Sequence, residues 1–505
     1  MKRKFMAAVA LAAGVSLAIT GCATGGDSET DAPVTGGTLT LGALVDAASW
    51  DPADAEFGNR IQYVQPVYDS LLHIDDELVI GPWLASEFAY NDDSTELSLT
   101  LRDDVVFSDG EEFNAEVAKA NLEHFKNGTG QNSITLASVD SIDVTGDYSL
   151  TLGLAAPDPA LLRNLSLVAG MQASPAVLGQ ESLKTTPVGS GPYVLDADAS
   201  VTGSQYTYTR NADYWNTEAF PFDEIVIKPL NDLTARLNAL KSGEIDAGLA
   251  DAKSMAEAEA SGLTAQTIEG DWQGLFIVDR DGSKVPALAD PRVRQAINYA
   301  VDGAGILKAV RLGEGTATTQ IFSPTSIAAD PALDSRYSFD PDKARALLAE
   351  AGYADGFEIE MPEFAGFTDI TTIAFQQLGD VGITVKPVVV APDQIISALL
   401  SGQFPAFVFS WGSSDSWQDI SKIVGPTAPW NMYGNSTPEL DALIASAQSE
   451  GTQDAFQAVN EYIVDQAWFA PWYVQNNVYV SGDAVEVAMQ PQNVVPYIWN
   501  YTPAN

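Results

Sequence analysis

The sequence predicts an α/β protein of several packed units, and three observations lead there. Segments whose apolar residues alternate with period two lie among segments whose apolar residues recur every three to four positions, the patterns of strands and helices. The helical segments carry start and stop residues at both ends. The chain has 505 residues, 46% of them hydrophobic and 18% charged, enough apolar material for a large core and too much for a disordered chain. At roughly 150 residues per domain, that length suggests about three units.

The strands come first. Thr38-Leu39-Thr40-Leu41 and Ser98-Leu99-Thr100-Leu101 alternate as half-buried strands do. Glu224-Ile225-Val226-Ile227 and Ala406-Phe407-Val408-Phe409 read as strands covered on both faces. Among the helices, Leu233, Leu237 and Leu240 form a stripe ending at Gly243. Asp290-Pro291 opens a second, with Val293, Ala296, Ile297, Ala300 and Val301 on one face. Asp340-Pro341 opens a third, carrying Ala344, Leu347, Leu348 and Ala351 before Gly352, and Thr437-Pro438 a fourth, carrying Leu440, Leu443, Ile444 and Ala447. In each case a side-chain oxygen caps free amides, proline sits where no donor is needed, or glycine takes the left-handed stop. These stripes are core. No repeat of 20 to 50 residues is present, which argues against a solenoid or propeller.

Charge and rare residues exclude whole classes of function. With 25 basic and 68 acidic residues the formal net charge is −43, and such a chain repels phosphate, so nucleic acid is not expected as a partner. One cysteine and two histidines leave no disulfide framework and too few ligands for a zinc site. His124, between Glu123 and Phe125, reads as a solvated helix residue, and His73 as equally bland. Neither a metal nor a cofactor is expected. Gly-x-Ser-x-Gly and His-Glu-x-x-His are both absent, so no catalytic residues are assigned and the chain is not read as an enzyme.

The N-terminus reads as an address. Lys2, Arg3 and Lys4 precede sixteen uncharged residues, Phe5 to Thr20, shorter than the roughly 20 needed to span a bilayer and suited to a signal peptide. Leu17-Ala18-Ile19-Thr20-Gly21-Cys22 then resembles the lipobox of bacterial lipoproteins, which implies cleavage after residue 21 and lipid on Cys22. Residues 22–35, rich in Gly, Thr, Ser and Asp, read as a flexible tether. The location implied is extracytoplasmic, at the cell membrane or in the periplasm.

Beyond the tether, short phrases resemble, in order, the family 5 extracellular solute-binding proteins of ABC importers, the class of oligopeptide-, dipeptide- and nickel-binding proteins. They run from Gly36-Gly37-Thr38-Leu39 and Trp50-Asp51-Pro52 through Val67 to Leu72 and Leu101 to Gly110, with Ala115-Glu116-Val117 after them. Val188-Gly189-Ser190-Gly191-Pro192-Tyr193, Arg210 to Trp215, Leu240 to Asp246, Asp290 to Asp302 and Lys343 to Gly352 follow. The resemblance implies a two-lobed periplasmic-binding-protein fold (type II) joined by hinge strands, with an extra inserted domain. Lobe I would comprise 36–78, 187–280 and 476–505, the inserted domain 79–186 and lobe II 281–475. It implies a monomer that captures a small solute between its lobes and delivers it to a membrane permease, with short peptides the expected solute.

The resemblance also places candidate cleft residues. Trp411-Gly412-Ser413-Ser414-Asp415-Ser416-Trp417 matches a cleft loop in which peptide binders carry an aspartate three positions after the tryptophan, to pair with an ammonium group. Here that position is Ser414, and the carboxylate stands one further on at Asp415, which a bulge would bring to the cleft or which otherwise caps a turn. Trp411, Trp417 and Trp272 offer flat apolar faces to a solute or belong to the core. Phe57, Gly58 and Asn59 follow the first strand, where relatives contact the solute, and Tyr433 lies in a loop before the Thr437 helix. Gly189, Ser190 and Gly191 read as a tight turn beside a hinge. The alternatives are an oligosaccharide receptor, favoured if Trp272, Trp411 and Trp417 stack along the cleft without an inward carboxylate, a secreted hydrolase using paired carboxylates, and a structural surface protein.

Overall fold

Two long antiparallel strands, Thr264–Ile277 and Phe469–Ser481, organise the molecule. Their outer halves pair Thr264–Glu269 with Asn476–Ser481, and their inner halves pair Trp272–Phe276 with Phe469–Val474. Between these blocks the register slips, because Gly270 and Asp271 stand opposite the single residue Gln475. That extra residue is a β-bulge, which bends a strand and re-aims its side chains. A computed structural model describes residues 35–504 apart from 131, 392, 393 and 413. Cys22, the leader 1–21, the tether up to residue 34 and Ser413 therefore lie outside the described residues.

On one side of the bulge, the sheet continues through Ala247–Ala250, Thr38–Ala43, Glu224–Pro229, Gln205–Arg210 and Tyr193–Val201. Thr38–Ala43 runs parallel to both of its neighbours, which is why Leu39 and Leu41 are buried. On the other side, Ala406–Trp411 pairs antiparallel with Trp272–Ile277, and Gly315–Ala317 pairs with Tyr473–Gln475. One mixed sheet therefore runs on both sides of the bulge.

A separate four-stranded antiparallel sheet runs Ala85–Tyr90, Glu96–Leu101, Ser149–Leu154, Val139–Gly146, with helix Ala115–Lys126 packed on it. Its strands lie within the stretch 79–186. Leu97, Leu99 and Leu101 are buried, and Glu96, Ser98 and Thr100 are exposed. Its core is continuous with that around Leu39 and Leu41. Elsewhere, Phe357–Glu363 and Ile383–Val389 are parallel and joined by helix Thr368–Asp380, the connection that parallel strands require.

The punctuated helices form with small differences. Helix Pro291–Ala300 is capped by Asp290, whose carboxylate accepts the Arg292 amide. Val301 is buried but extended at the helix end, so the helix stops one residue before its apolar stripe does. Helix Leu233–Ser242 ends on left-handed Gly243 as expected, but Leu233 is exposed because it stands in the first turn. At Gly189 and Gly191 the backbone has no positive φ. A Cβ on Gly191 would lie 2.4 Å from the Val67 carbonyl carbon, so glycine permits close approach there rather than a left-handed turn.

Candidate functional site

Strand Ala406–Trp411 delivers Trp411 to the end of the sheet beside the bulge. The chain then turns through Gly412 and Ser414 into helix Ser416–Asp419, which runs on as a π-helical turn, Ile420–Val424. The fully buried Asp419 fastens this loop, because its Oδ1 accepts the Trp411 indole N–H at 2.9 Å and the Ser414 hydroxyl at 2.6 Å. Burial pushes the Asp419 carboxyl up to about 6, with those two donors pulling it back. Asp415 caps the helix, accepting the Trp417 and Gln418 amides at 2.8 and 3.3 Å.

Three cavities of about 380, 660 and 50 Å³ adjoin this loop and share walls. Lys422 and Gln418 line all three. These residues stand four apart on one helical run and face the same way, with the Lys422 ammonium donating to Gln418 Oε1 at 3.2 Å. Across the cleft, Gln418 Nε2 donates to Asn164 Oδ1 at 2.6 Å. A second crossing runs from Gln448 Nε2 to the Pro157 carbonyl at 3.1 Å.

The cavity of about 380 Å³ is lined by Phe57, Gly58, Asn59, Gly412 and Ser414, and by Glu269 and Asp271 from the bulge. Asp271 Oδ2 accepts the Ser410 hydroxyl at 2.8 Å, and among the described residues no hydrogen bond reaches Oδ1. Burial raises this carboxyl, while the Ser410 hydrogen bond and the Arg311 charge oppose the shift. The buried amide atoms Asn59 Oδ1, Asn477 Nδ2 and both of Asn493 also lack partners among the described residues, and all three asparagines line this cavity. Buried polar atoms are nearly always paired, so these groups are open to a bound molecule or to water. Trp411, Trp417 and Trp430 line the cavity of about 660 Å³.

Several residues singled out in the sequence stand elsewhere. Trp272 is 2% exposed and stacked on Phe276, with ring centroids 4.7 Å apart, and lines none of the three cavities. Asp415 lines none of them because its carboxylate is turned to backbone amides. The Tyr433 hydroxyl donates to the Gly402 carbonyl at 2.8 Å, again outside these cavities. His124 is not simply solvated, because its Nε2 lies 2.8 Å from Asp51 Oδ1.

The reading of sequence alone passed over Asp271, Gln418, Lys422, Arg163 and Asn164. A signal existed for two of them. Arg163 interrupts the apolar run Ala160-Leu161-Leu162-Arg163-Asn164-Leu165, and an interior charge of that kind asks for a partner. Asp271 neighbours Trp272, so an inward tryptophan sends the aspartate elsewhere, although its aim depends on the bulge. Among the described residues, no group of three or more metal-ligating side chains comes together.

The description "Bacterial extracellular solute-binding proteins, family 5 Middle" matches residues 79–427. The chain belongs to this family. It is 27% identical over 376 residues to the glutathione-binding protein of Salmonella typhi, covering 72% of this chain and 70% of that protein. Its fold is similar to that of HbpA2 from Haemophilus parasuis, with TM-score 0.82, 22% identity and coverage of 93% and 100%. It is similar also to the periplasmic binding protein DppA from Helicobacter pylori, solved in complex with the peptide STSA, with TM-score 0.78, 20% identity and coverage of 94% and 99%. The architecture is thus the type II periplasmic-binding-protein fold. Family 5 members are transport receptors and not enzymes, so the chain is a solute-binding protein of an ABC importer that works outside the cytoplasm and serves a permease. No helix among the described residues is long and apolar enough to cross a membrane.

Proposed function

We propose that this family 5 protein captures short peptides and hands them to its permease. The observation that carries this reading is the cavity of about 380 Å³, in which Asp271 Oδ1 lies open beside the unpartnered amides of Asn59, Asn477 and Asn493. A peptide supplies what that wall lacks: an ammonium for the carboxylate, with backbone N–H and C=O groups for the amides. The adjoining cavity, with Trp411, Trp417 and Trp430 in its wall, is suited to side chains. The curated glutathione-binding relatives support a peptide-like solute, since glutathione is itself a modified tripeptide.

Phe57, Gly58, Asn59, Trp411, Gly412, Ser414 and Trp417 are proposed to contact the solute, and Asp271 takes the ammonium role that the sequence offered to Asp415. We further propose that the lobes divide at the bulge near 270–280 and 475, with 79–186 as the inserted domain. The protein acts as a monomer, with lipid on Cys22 holding it to the outer face of the membrane or within the periplasm.

Thermal unfolding of ligand-stripped protein tests the solute class, with glutathione, mixed di- to pentapeptides and oligosaccharides in separate titrations. A ligand at about 100 times its Kd stabilises the fold by roughly 2.7 kcal/mol. The expected result is a shift with peptides that Asp271→Asn abolishes. A shift with sugars alone sinks the peptide assignment and leaves the receptor standing.

A further inference from the structure

We infer that the solute carries a carboxylate-type anion, that this group is received between Arg163 and Lys422, and that its arrival favours closure of the cleft there. The inference rests on the cleft being the solute site, and it names the charge of what binds there. Arg163 belongs to helix Leu161–Leu165 on one wall, and Lys422 to the π-helical turn Ile420–Val424 on the other. Both line the small cavity of about 50 Å³, together with Phe57, Asn164 and Gln418.

Neither cation joins an ion pair among the described residues. Arg163 is only 5% exposed, and its Nε and Nη2 are buried without partners among the described residues. Those two nitrogens form one edge of the guanidinium, the edge that grips a carboxylate through two parallel N–H···O bonds. The guanidinium carbon lies over the Phe57 ring, 5.4 Å from its centroid. Among the described residues the Lys422 ammonium has one hydrogen bond, to the neutral Gln418 side chain.

The nearby carboxylates are committed elsewhere. Asp419 holds Trp411 and Ser414, Asp415 caps the helix, and Asp158 accepts the Ser138 hydroxyl and the Ala160 amide. Burial holds Lys422 below the ordinary lysine range and the charge of Arg163 adds to that, while the carboxylates of Asp419 and Asp415 oppose it. Two cations without an ion-pair partner among the described residues repel each other when they meet across a closing cleft, and burying them unpaired is costly. An anion entering between them converts that repulsion into two attractions, one to each wall, so solute charge and closure become linked.

The test pairs a pool of di- to pentapeptides lacking acidic side chains with the same pool as C-terminal amides. Binding is read by calorimetry, and closure by small-angle scattering, on wild-type protein and on Lys422→Met. The expected result is that free acids bind about 30-fold more tightly than amides, the size of a buried charge-assisted contact, and that Lys422→Met erases most of this preference. Ligand-free Lys422→Met is expected to be more compact than ligand-free wild type, because the repulsion is gone. Amides binding as tightly as free acids would overturn the inference. If neither pool binds, the peptide reading fails by itself. The scattering of the ligand-free proteins then decides the inference: a more compact variant supports it, and an unchanged one overturns it.

Discussion

Gln418 and Asn164 face each other across the cleft, the glutamine amide donating to the asparagine oxygen at 2.6 Å. The other end of the same glutamine side chain accepts the Lys422 ammonium, so one residue links the cation of its own helix to the opposite wall. A contact that exists only when the walls meet stabilises the closed state and leaves the open state untouched.

For that reason Gln418→Ala is expected to speed solute release more than it slows capture. A hydrogen bond of this kind contributes about 1 kcal/mol, which corresponds to roughly a fivefold faster off-rate. Stopped-flow tryptophan fluorescence measures it, and an unchanged off-rate would remove Gln418 from the closing contact.

Asp415→Ala separates a cap from an anchor. Its carboxylate holds two backbone amides, so the substitution is expected to cost about 1 kcal/mol of stability while peptide affinity stays within about twofold of wild type. Denaturant melts and calorimetry on the same sample read both. A large affinity loss without a stability loss would return the ammonium role to Asp415.

The two histidines are expected to titrate on opposite sides of the usual 6.5. His73 is stacked on Trp83, with centroids 4.5 Å apart and Trp499 close by, and burial lowers it to about 4. His124 is raised, first by its hydrogen bond to Asp51. The unfolded chain binds a proton at 6.5 that native His73 refuses, so its contribution to stability falls as pH drops from 6.5 toward 4. The His124 contribution is full below 6.5 and is lost as pH rises through its folded value. Two imidazole resonances in a proton NMR titration check both directions.

Asp69 is expected to be a highly sensitive buried position. One oxygen accepts Trp83 Nε1 at 2.7 Å and the Tyr214 hydroxyl at 2.8 Å, and the other accepts the Ser190 hydroxyl and Trp215 Nε1 at 3.1 and 3.2 Å. Asp69→Asn turns an acceptor into a donor facing two donors, which is expected to destabilise by about 3 kcal/mol. Burial holds this carboxyl at about 6 despite the four donors. Native protein therefore keeps a proton that the unfolded chain has lost, and the Asp69 contribution falls as pH rises from 3.8 to 6. Chemical denaturation at both ends of that window measures the slope, and its survival in Asp69→Asn would assign it to another group.

Local chemistry made much of the architecture readable. Thr38-Leu39-Thr40-Leu41 alternates and is a strand, and Asp290-Pro291 and Thr437-Pro438 are helix starts, because caps and periodicities act over a few residues. The order of the short phrases carried the family. Phe57, Gly58, Asn59, Trp411 and Trp417 come to cavity walls, since a loop that follows a strand stays near that strand's end.

What the sequence by itself determined is thus the set of elements, the family and the segments near the cleft. Only tertiary structure decided which side chains face it. Trp272 and Asp271 are neighbours, and a bulge opposite Gln475 buries the first and leaves the second against a cavity. Asp415 caps and Asp419 ends one short helix, yet neither carboxylate is free, because backbone amides claim one and Trp411 and Ser414 claim the other. Arg163 and Lys422 are 259 positions apart in the chain, and no local signal pairs them. They line one cavity only because the folded chain packs two distant segments together, and electrostatic interaction depends on distance in space, which chain order alone does not fix.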